Sequence, residues 1–123
     1  MGYQLEMQTP EAVLVLSGEV DLQVTGTLRD ELSEKLGPDG AAGIARLRVA
    51  SSQVSYIDSS GVAVLLLARQ LCQQAGIGLH FDPPAEPLFR VLELARLTDL
   101  LQLPPPLRPQ DPVEPESPLP PDN

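Results

Sequence analysis

The sequence predicts a small α/β domain: a mixed β-sheet of four to five strands with helices packed on one face. Stretches in which apolar and polar residues alternate, as in half-buried strands, are interleaved with stretches whose apolar residues recur at helical spacing. Their order along residues 1–103 is strand–strand–helix–strand–helix–strand–helix, which is typical of a mixed sheet covered by helices. Residues 104–123 hold nine of the 14 prolines, so we expect them to form a disordered, acidic, proline-rich tail outside the domain.

The first two strands are predicted to form a hairpin. Tyr3, Leu5 and Met7 alternate with polar residues, as expected of a half-buried strand. Residues 12–16 form a continuous apolar run, which favours a more buried strand. Turn-forming residues separate the two runs at positions 9–11, so the strands should pair with each other.

The next element is predicted to be a helix. Leu28, Leu32 and Leu36 recur at a spacing of four, and a Gly-Pro pair follows as the stop. Either Thr25 or Thr27 is available as the N-cap, because threonine hydroxyls accept hydrogen bonds from the first helical turn.

The middle of the chain predicts a third strand followed by an apolar helix. Leu47 and Val49 alternate with arginines, and the segment SSQVSYIDSSG comes next. The helix should run from about Ser60 to Ala75, because Gly76 is a natural residue to end it.

The last part of the domain predicts a fourth strand, a third helix and a short fifth strand. Ile77, Leu79 and Phe81 alternate with other residues, and two prolines then break the pattern. Apolar residues return at helical spacing from Leu88, and the leucines at 100, 101 and 103 are expected to form a short final strand before the prolines.

Composition and charge restrict the function. The 17 acidic residues against 8 Lys and Arg give a net charge of −9, which disfavours nucleic acid as a partner. A single cysteine excludes an internal disulfide and favours a reducing compartment. The longest apolar run, residues 62–68, is too short for a membrane span, and the N-terminus does not resemble a secretion signal. We expect a cytoplasmic protein with protein partners and no direct membrane insertion.

Enzyme signatures are not found in the sequence. His80 is the only histidine and occupies an outward position of the predicted fourth strand, while Cys72 lies among apolar residues of a helix and is expected to be a core residue. The glycines at 37, 40 and 43 precede a strand and lack the lysine of a phosphate-binding loop. We therefore predict a protein that is not an enzyme, with no catalytic residue, no cofactor and no metal.

The segment Asp58-Ser59-Ser60-Gly61 joins a strand-like run to the start of a helix. The first turn of a helix has four unsatisfied N–H groups and about half a positive charge. Ser60 suits the N-cap, and Gly61 permits a tight turn and leaves space for a close approach. Ser59 would then project into solvent, where the N–H groups of the helix can hold a phosphate. The alternative is that these four residues only cap the helix.

Two motifs together resemble a known family. The segment VSYIDSSGVAVL, residues 54–65, resembles the signature of STAS domains, particularly of bacterial anti-sigma factor antagonists. The stretch LSGEVD, residues 16–21, resembles the second motif of this family, a Gly-Glu-hydrophobic-Asp sequence at the end of its second strand. Residues 89–101 resemble the later helix and the start of the last strand. The resemblance covers about residues 3–103 and implies a STAS fold for residues 1–103.

The resemblance also implies a function. In such antagonists, a partner anti-sigma serine kinase phosphorylates the first serine of the DSSG loop, which is Ser59 in this sequence. The unphosphorylated domain binds the kinase and frees the sigma factor, and phosphorylation releases the domain. By the same resemblance, the residues expected to contact the partner are Asp21, Asp58, Ser59, Ser60 and Gly61.

The resemblance leaves an alternative function open. The alternative is a STAS subunit that docks on the ATPase of a bacterial phospholipid-transport ABC complex through the hydroxyl of the same loop.

The apolar residues 62–68 cover every side of their helix. Some of them should therefore reach the surface near the loop as a docking face, unless neighbouring helices cover them. Antagonists usually continue after their last strand into another helix, whereas this chain is proline-rich beyond Leu103.

Overall fold

The computed structural model describes residues 2–38 and 40–106, so most of the predicted tail, residues 107–123, lies outside the described residues. Within them, the strands and helices follow the predicted order as far as the third helix. The elements are β1 (Tyr3–Gln8), β2 (Glu11–Val20), α1 (Leu22–Leu36), β3 (Arg46–Ile57), α2 (Ser59–Ala75), β4 (Gly78–Phe81), α3 (Glu86–Leu94) and α4 (Thr98–Leu101). None of the helices in this part of the chain has the length and apolar character needed to cross a membrane.

The four strands form one mixed sheet in the order β1-β2-β3-β4. β1 pairs with β2 antiparallel, which confirms the predicted hairpin. β2 and β3 are parallel, as are β3 and β4, because a helix connects the strands within each pair. The predicted mixed sheet is therefore confirmed, with four strands among the described residues.

The helices cover a single face of the sheet, as predicted. On β2, Ala12, Leu14 and Leu16 are fully buried, whereas Val13 and Val15 between them are only half-buried. The first half of β3 shows the same alternation. Since successive side chains of a strand point to opposite faces, the fully buried set faces the helices.

The core between sheet and helices is largely aliphatic. α1 contributes Leu28, Leu32 and Leu36, the three residues whose spacing predicted it. Cys72 of α2 is buried in the same core, and desolvation raises the pKa of its thiol to about 11. This confirms that Cys72 is a small core residue.

The predicted fifth strand is wrong. Thr98–Leu101 forms a short helix, and Gln102 follows it in the left-handed region at φ 53°. The N–H of Leu103 donates to the carbonyl of Thr98 over 2.9 Å, so local hydrogen bonds replace those of a sheet. Leu101 and Leu103 are buried and Leu100 is 43% exposed, so this short turn, rather than a strand, buries alternate leucines.

The predicted N-caps of α1 and α2 are also wrong, although the end of α2 is correct. α1 is capped by Asp21, and Thr25 lies inside its first turns. α2 is capped by Asp58, so Ser60 is already helical. In both cases an aspartate that directly follows a strand accepts hydrogen bonds from N–H groups in the first turn of the helix. Gly76 ends α2 at φ 72°, as predicted.

Candidate functional site

The site lies where two neighbouring parallel strands end. Val20 of β2 and Ile57 of β3 are partners in the register, and the N–H of Asp58 donates to the carbonyl of Val20 over 3.3 Å. Each strand is followed at once by a capping aspartate and a helix. The structure therefore brings Asp21 and the DSSG segment to the same end of the sheet.

Asp58 is the central acceptor of the loop. Its Oδ1 atom accepts from the N–H of Ser60 at 2.9 Å, the hydroxyl of Ser60 at 2.6 Å and the N–H of Gly61 at 3.2 Å. These hydrogen bonds, that of the Ser60 hydroxyl foremost, lower the pKa of the Asp58 carboxyl from its ordinary value of 3.8. Asp21 makes a simpler cap, because its carboxylate accepts one N–H, that of Gln23 at 3.1 Å.

Two of the helix N–H groups expected to hold a phosphate here already have an acceptor. The N–H groups of Ser60 and Gly61, the second and third residues of α2, both donate to the Asp58 carboxylate. A phosphate on Ser59 would have to compete with a fixed carboxylate for them. An internal anion therefore already binds part of the start of α2.

The hydroxyl of Ser60 both donates and accepts a hydrogen bond. It donates to Asp58 and accepts from the hydroxyl of Thr25 on α1 at 3.1 Å. Thr25 is 1% exposed, so this bond satisfies a buried donor. This role of Thr25 was not predicted from its sequence position. The available signal was its spacing of three before Leu28, which places it on the buried side of α1 rather than at the cap.

Ser59, in contrast, is exposed at the first position of α2. The hydrogen bonds of the loop are made by Asp58, Ser60 and Gly61 and do not use the hydroxyl of Ser59. Two chemically identical side chains, adjacent in sequence, therefore have different environments: one hydroxyl faces solvent, and the other is held inside a hydrogen-bonded chain.

Gly61 has a packing role that differs from the expected one. A Cβ atom at this position would lie 2.6 Å from Cγ1 of Ile57 and 3.0 Å from Cγ1 of Val20. The space that the sequence analysis assigned to an approaching group is therefore occupied by the ends of β2 and β3. Glycine is required because α2 starts in direct contact with the two strands.

Exposed apolar side chains surround the loop. Leu22, the first residue of α1, is 67% exposed, and Tyr56, near the end of β3, is 51% exposed. On α2, Ala63 is exposed and Leu66 and Leu67 are half-buried, so some of the apolar side chains of residues 62–68 do reach the surface, as expected. His80 takes no part in the loop, because it is exposed on β4 at 3.4 Å from Asp82.

Comparisons with known proteins agree with this geometry. A family model described as "Mlab, STAS domain" matches residues 3–103. The anti-sigma-B factor antagonist of Bacillus subtilis (strain 168) is 32% identical over 84 residues, which are 68% of this chain and 72% of that protein.

Solved structures show the same fold. The unphosphorylated anti-sigma factor antagonist SpoIIAA matches with a TM-score of 0.70 at 22% identity, over 80% of this chain and 84% of that one. An anti-sigma factor antagonist from Mycobacterium paratuberculosis matches with a TM-score of 0.63 at 24% identity, over 85% of this chain and 86% of the other.

Proposed function

The chain belongs to the STAS-domain family and is a relative of anti-sigma factor antagonists, and we propose that it is a regulatory binding module controlled by phosphorylation. In this proposal it binds an anti-sigma serine kinase while Ser59 is unmodified and is released once Ser59 carries a phosphate. It acts in the cytoplasm and by binding rather than by catalysis. Asp21, Asp58, Ser60 and Gly61 shape the surface that the kinase contacts.

The observation that carries the proposal is the difference between the two serines of the loop. Ser59 is exposed at the first position of α2, so a kinase can reach its hydroxyl. The Ser60 hydroxyl donates a hydrogen bond to Asp58 and accepts one from buried Thr25, so its phosphorylation would disrupt this arrangement. The loop thus offers a single hydroxyl for modification.

The electrostatics of the loop favour release after phosphorylation. A phosphate adds a charge of about −1.5 to −2 at pH 7. The N–H groups of Ser60 and Gly61 already donate to Asp58, so they are not free to neutralise the new charge. A partner surface fitted to a neutral hydroxyl must then desolvate a dianion next to a carboxylate, which is costly. Because about 1.4 kcal/mol corresponds to a tenfold change in affinity, a local effect is sufficient for a switch.

The experiment combines phosphorylation with binding. The purified chain is incubated with ATP and the purified anti-sigma kinase encoded nearest to it, and peptides are examined by mass spectrometry. We expect one phosphate, on Ser59. In calorimetric titrations, Ser59→Glu should bind the kinase at least about 100-fold more weakly than wild type, with an unchanged melting temperature.

Ser52→Glu is the matched control, because it adds the same charge at an exposed serine of β3 and should leave binding unchanged. Equal binding by wild type and Ser59→Glu would refute the proposal, as would a phosphate found only at another residue. Stable, phosphorylation-independent co-purification with a transport ATPase, in place of kinase binding, would favour the alternative of a transport subunit.

A further inference from the structure

A groove between α1 and α2 runs away from the Ser59 loop. Its volume is about 260 Å³, and it is lined by Arg29, Ser60, Ala63, Val64 and Leu67. Ser60 forms the end nearest the loop, so the groove begins one residue from the proposed phosphorylation site. A partner that covers Ser59 therefore lies at one end of this groove.

The walls of the groove are largely apolar and partly accessible. On α2, Ser60, Ala63 and Leu67 follow at spacings of three and four, so they share one side of the helix. Ala63 is exposed and small, which leaves room for a side chain of a partner. On α1, Leu22 lies seven residues before Arg29, about two turns away, and therefore on the same side. Its 67% exposure extends the apolar strip up to the loop.

Arg29 places a positive charge in this apolar wall. It is exposed, and it forms no ion pair with the residues that the structure describes, whereas Arg46, Arg48 and Arg90 are each paired with a carboxylate. The charged residues that adjoin the ends of β2 and β3 are acidic: Glu19, Asp21 and Asp58. A guanidinium beside apolar surface is well suited to bind a carboxylate with two parallel hydrogen bonds.

We propose that this groove docks a segment of the partner kinase in which an acidic side chain is flanked by apolar ones. The carboxylate pairs with Arg29, and the apolar side chains lie against Leu22, Ala63 and Leu67. The inference rests on the proposed function, because it makes the groove part of the surface that also covers Ser59. The inference adds the chemistry of the partner segment, which is acidic and apolar and pairs with Arg29 in the groove. The rim of the loop itself is predominantly acidic.

The test measures kinase binding by calorimetry with three variants of the full chain. Arg29→Glu reverses the charge in the groove and should weaken binding about 30-fold or more. This corresponds to roughly 2 kcal/mol, at about 1.4 kcal/mol for each tenfold change in affinity. Ala63→Glu places a charged side chain in the apolar wall and should weaken binding to a similar extent. Arg69→Glu is the matched control, because it makes the same charge reversal on α2, outside the groove, and should bind as wild type. Melting temperatures verify that each variant is folded.

The outcomes separate this inference from the function on which it rests. If wild type binds the kinase and Ser59→Glu does not, but Arg29→Glu and Ala63→Glu bind as wild type, the groove is not used and only the inference is overturned. If Arg69→Glu weakens binding as much as Arg29→Glu, the effect is one of net charge, and the inference is also overturned. A wild-type chain that binds no such kinase overturns the proposed function and the inference with it.

Discussion

The hydroxyl of Thr25, in α1, donates a hydrogen bond to the hydroxyl of Ser60, in the first turn of α2, over 3.1 Å. Ser60 in turn donates to the Asp58 carboxylate over 2.6 Å, so a chain of hydrogen bonds crosses from one helix to the other. It ties the loop that carries Ser59 to a residue in the interior of the domain.

The first prediction concerns this pair. Ser60→Ala leaves the buried Thr25 hydroxyl without an acceptor and should lower the free energy of unfolding by about 1–3 kcal/mol. Thr25→Val removes the donor itself and should cost about 1 kcal/mol or less. Urea unfolding of both single variants and the double variant measures the coupling. The double variant should be less destabilised than the sum of the two, and strict additivity would contradict the hydrogen bond.

The second prediction concerns pH. The hydrogen bonds from Ser60 and Gly61 lower the pKa of Asp58 in the folded state, so its carboxylate stabilises the fold above the unfolded pKa of about 4. This stabilisation is lost as the pH falls through the lowered folded pKa. Ser60→Ala removes the largest cause of the shift, so the pKa of Asp58 should rise toward 3.8. An NMR titration of the Asp58 carboxyl carbon measures this pKa in wild type and in Ser60→Ala. The same pKa in both proteins would contradict this account.

The third prediction concerns the packing of Gly61. A methyl group there overlaps with Ile57 and Val20, so Gly61→Ala should destabilise the domain by about 1–3 kcal/mol. Gly26→Ala is the control, because a Cβ at Gly26 meets no atom within 4 Å and the residue lies inside α1. It should stabilise the domain by about 0.5–1 kcal/mol. Relative to wild type, the melting temperature should fall for Gly61→Ala and rise for Gly26→Ala. A shift of the same sign in both variants would contradict the packing role of Gly61.

The fourth prediction concerns Cys72. Because the thiol is buried and its pKa is raised to about 11, native protein should react with a thiol reagent such as dithionitrobenzoate far more slowly than unfolded protein. Cys72→Ala should leave kinase binding unchanged and lower stability by removing buried volume. Fast labelling of the native state at pH 8 would show that this part of the core opens readily.

The order of the elements and most of the core were predictable because they depend on local periodicity. The spacing of Leu28, Leu32 and Leu36 identified both α1 and its buried side. The left-handed end of α2 at Gly76 was predictable because few other residues adopt that conformation at low cost. The short final helix was not predictable, since a run of leucines is compatible with strand or helix and its hydrogen bonds depend on chain geometry.

The site was predicted in position but not in detail. The motif located Ser59 at the start of a helix, where it is exposed. The sequence contained several good capping residues in succession. Aspartate and serine cap helices about equally well, so no local rule distinguishes Asp58 from Ser60, and the preference for Asp21 over Thr25 is small. The paired ends of β2 and β3 determine which residue becomes the N-cap, because they set where each helix begins. The spacing of Thr25 before Leu28 places it on the buried side of α1, but the partners of Thr25 and Arg29 depend on the packing of α1 against α2 and were not predictable from the sequence.

The capping arrangement has a consequence for how Ser59 would be recognised as a substrate. The backbone on either side of Ser59 is held in place: Asp58 accepts from the N–H groups of Ser60 and Gly61, and the paired strands β2 and β3 fix where the loop begins. A short peptide of the same residues has none of these constraints. On the proposed function, the kinase therefore reads a folded shape rather than a linear motif. A synthetic peptide of residues 52–66 should not be phosphorylated under conditions that fully modify the intact domain, and efficient modification of the peptide would mean that the kinase ignores the fold.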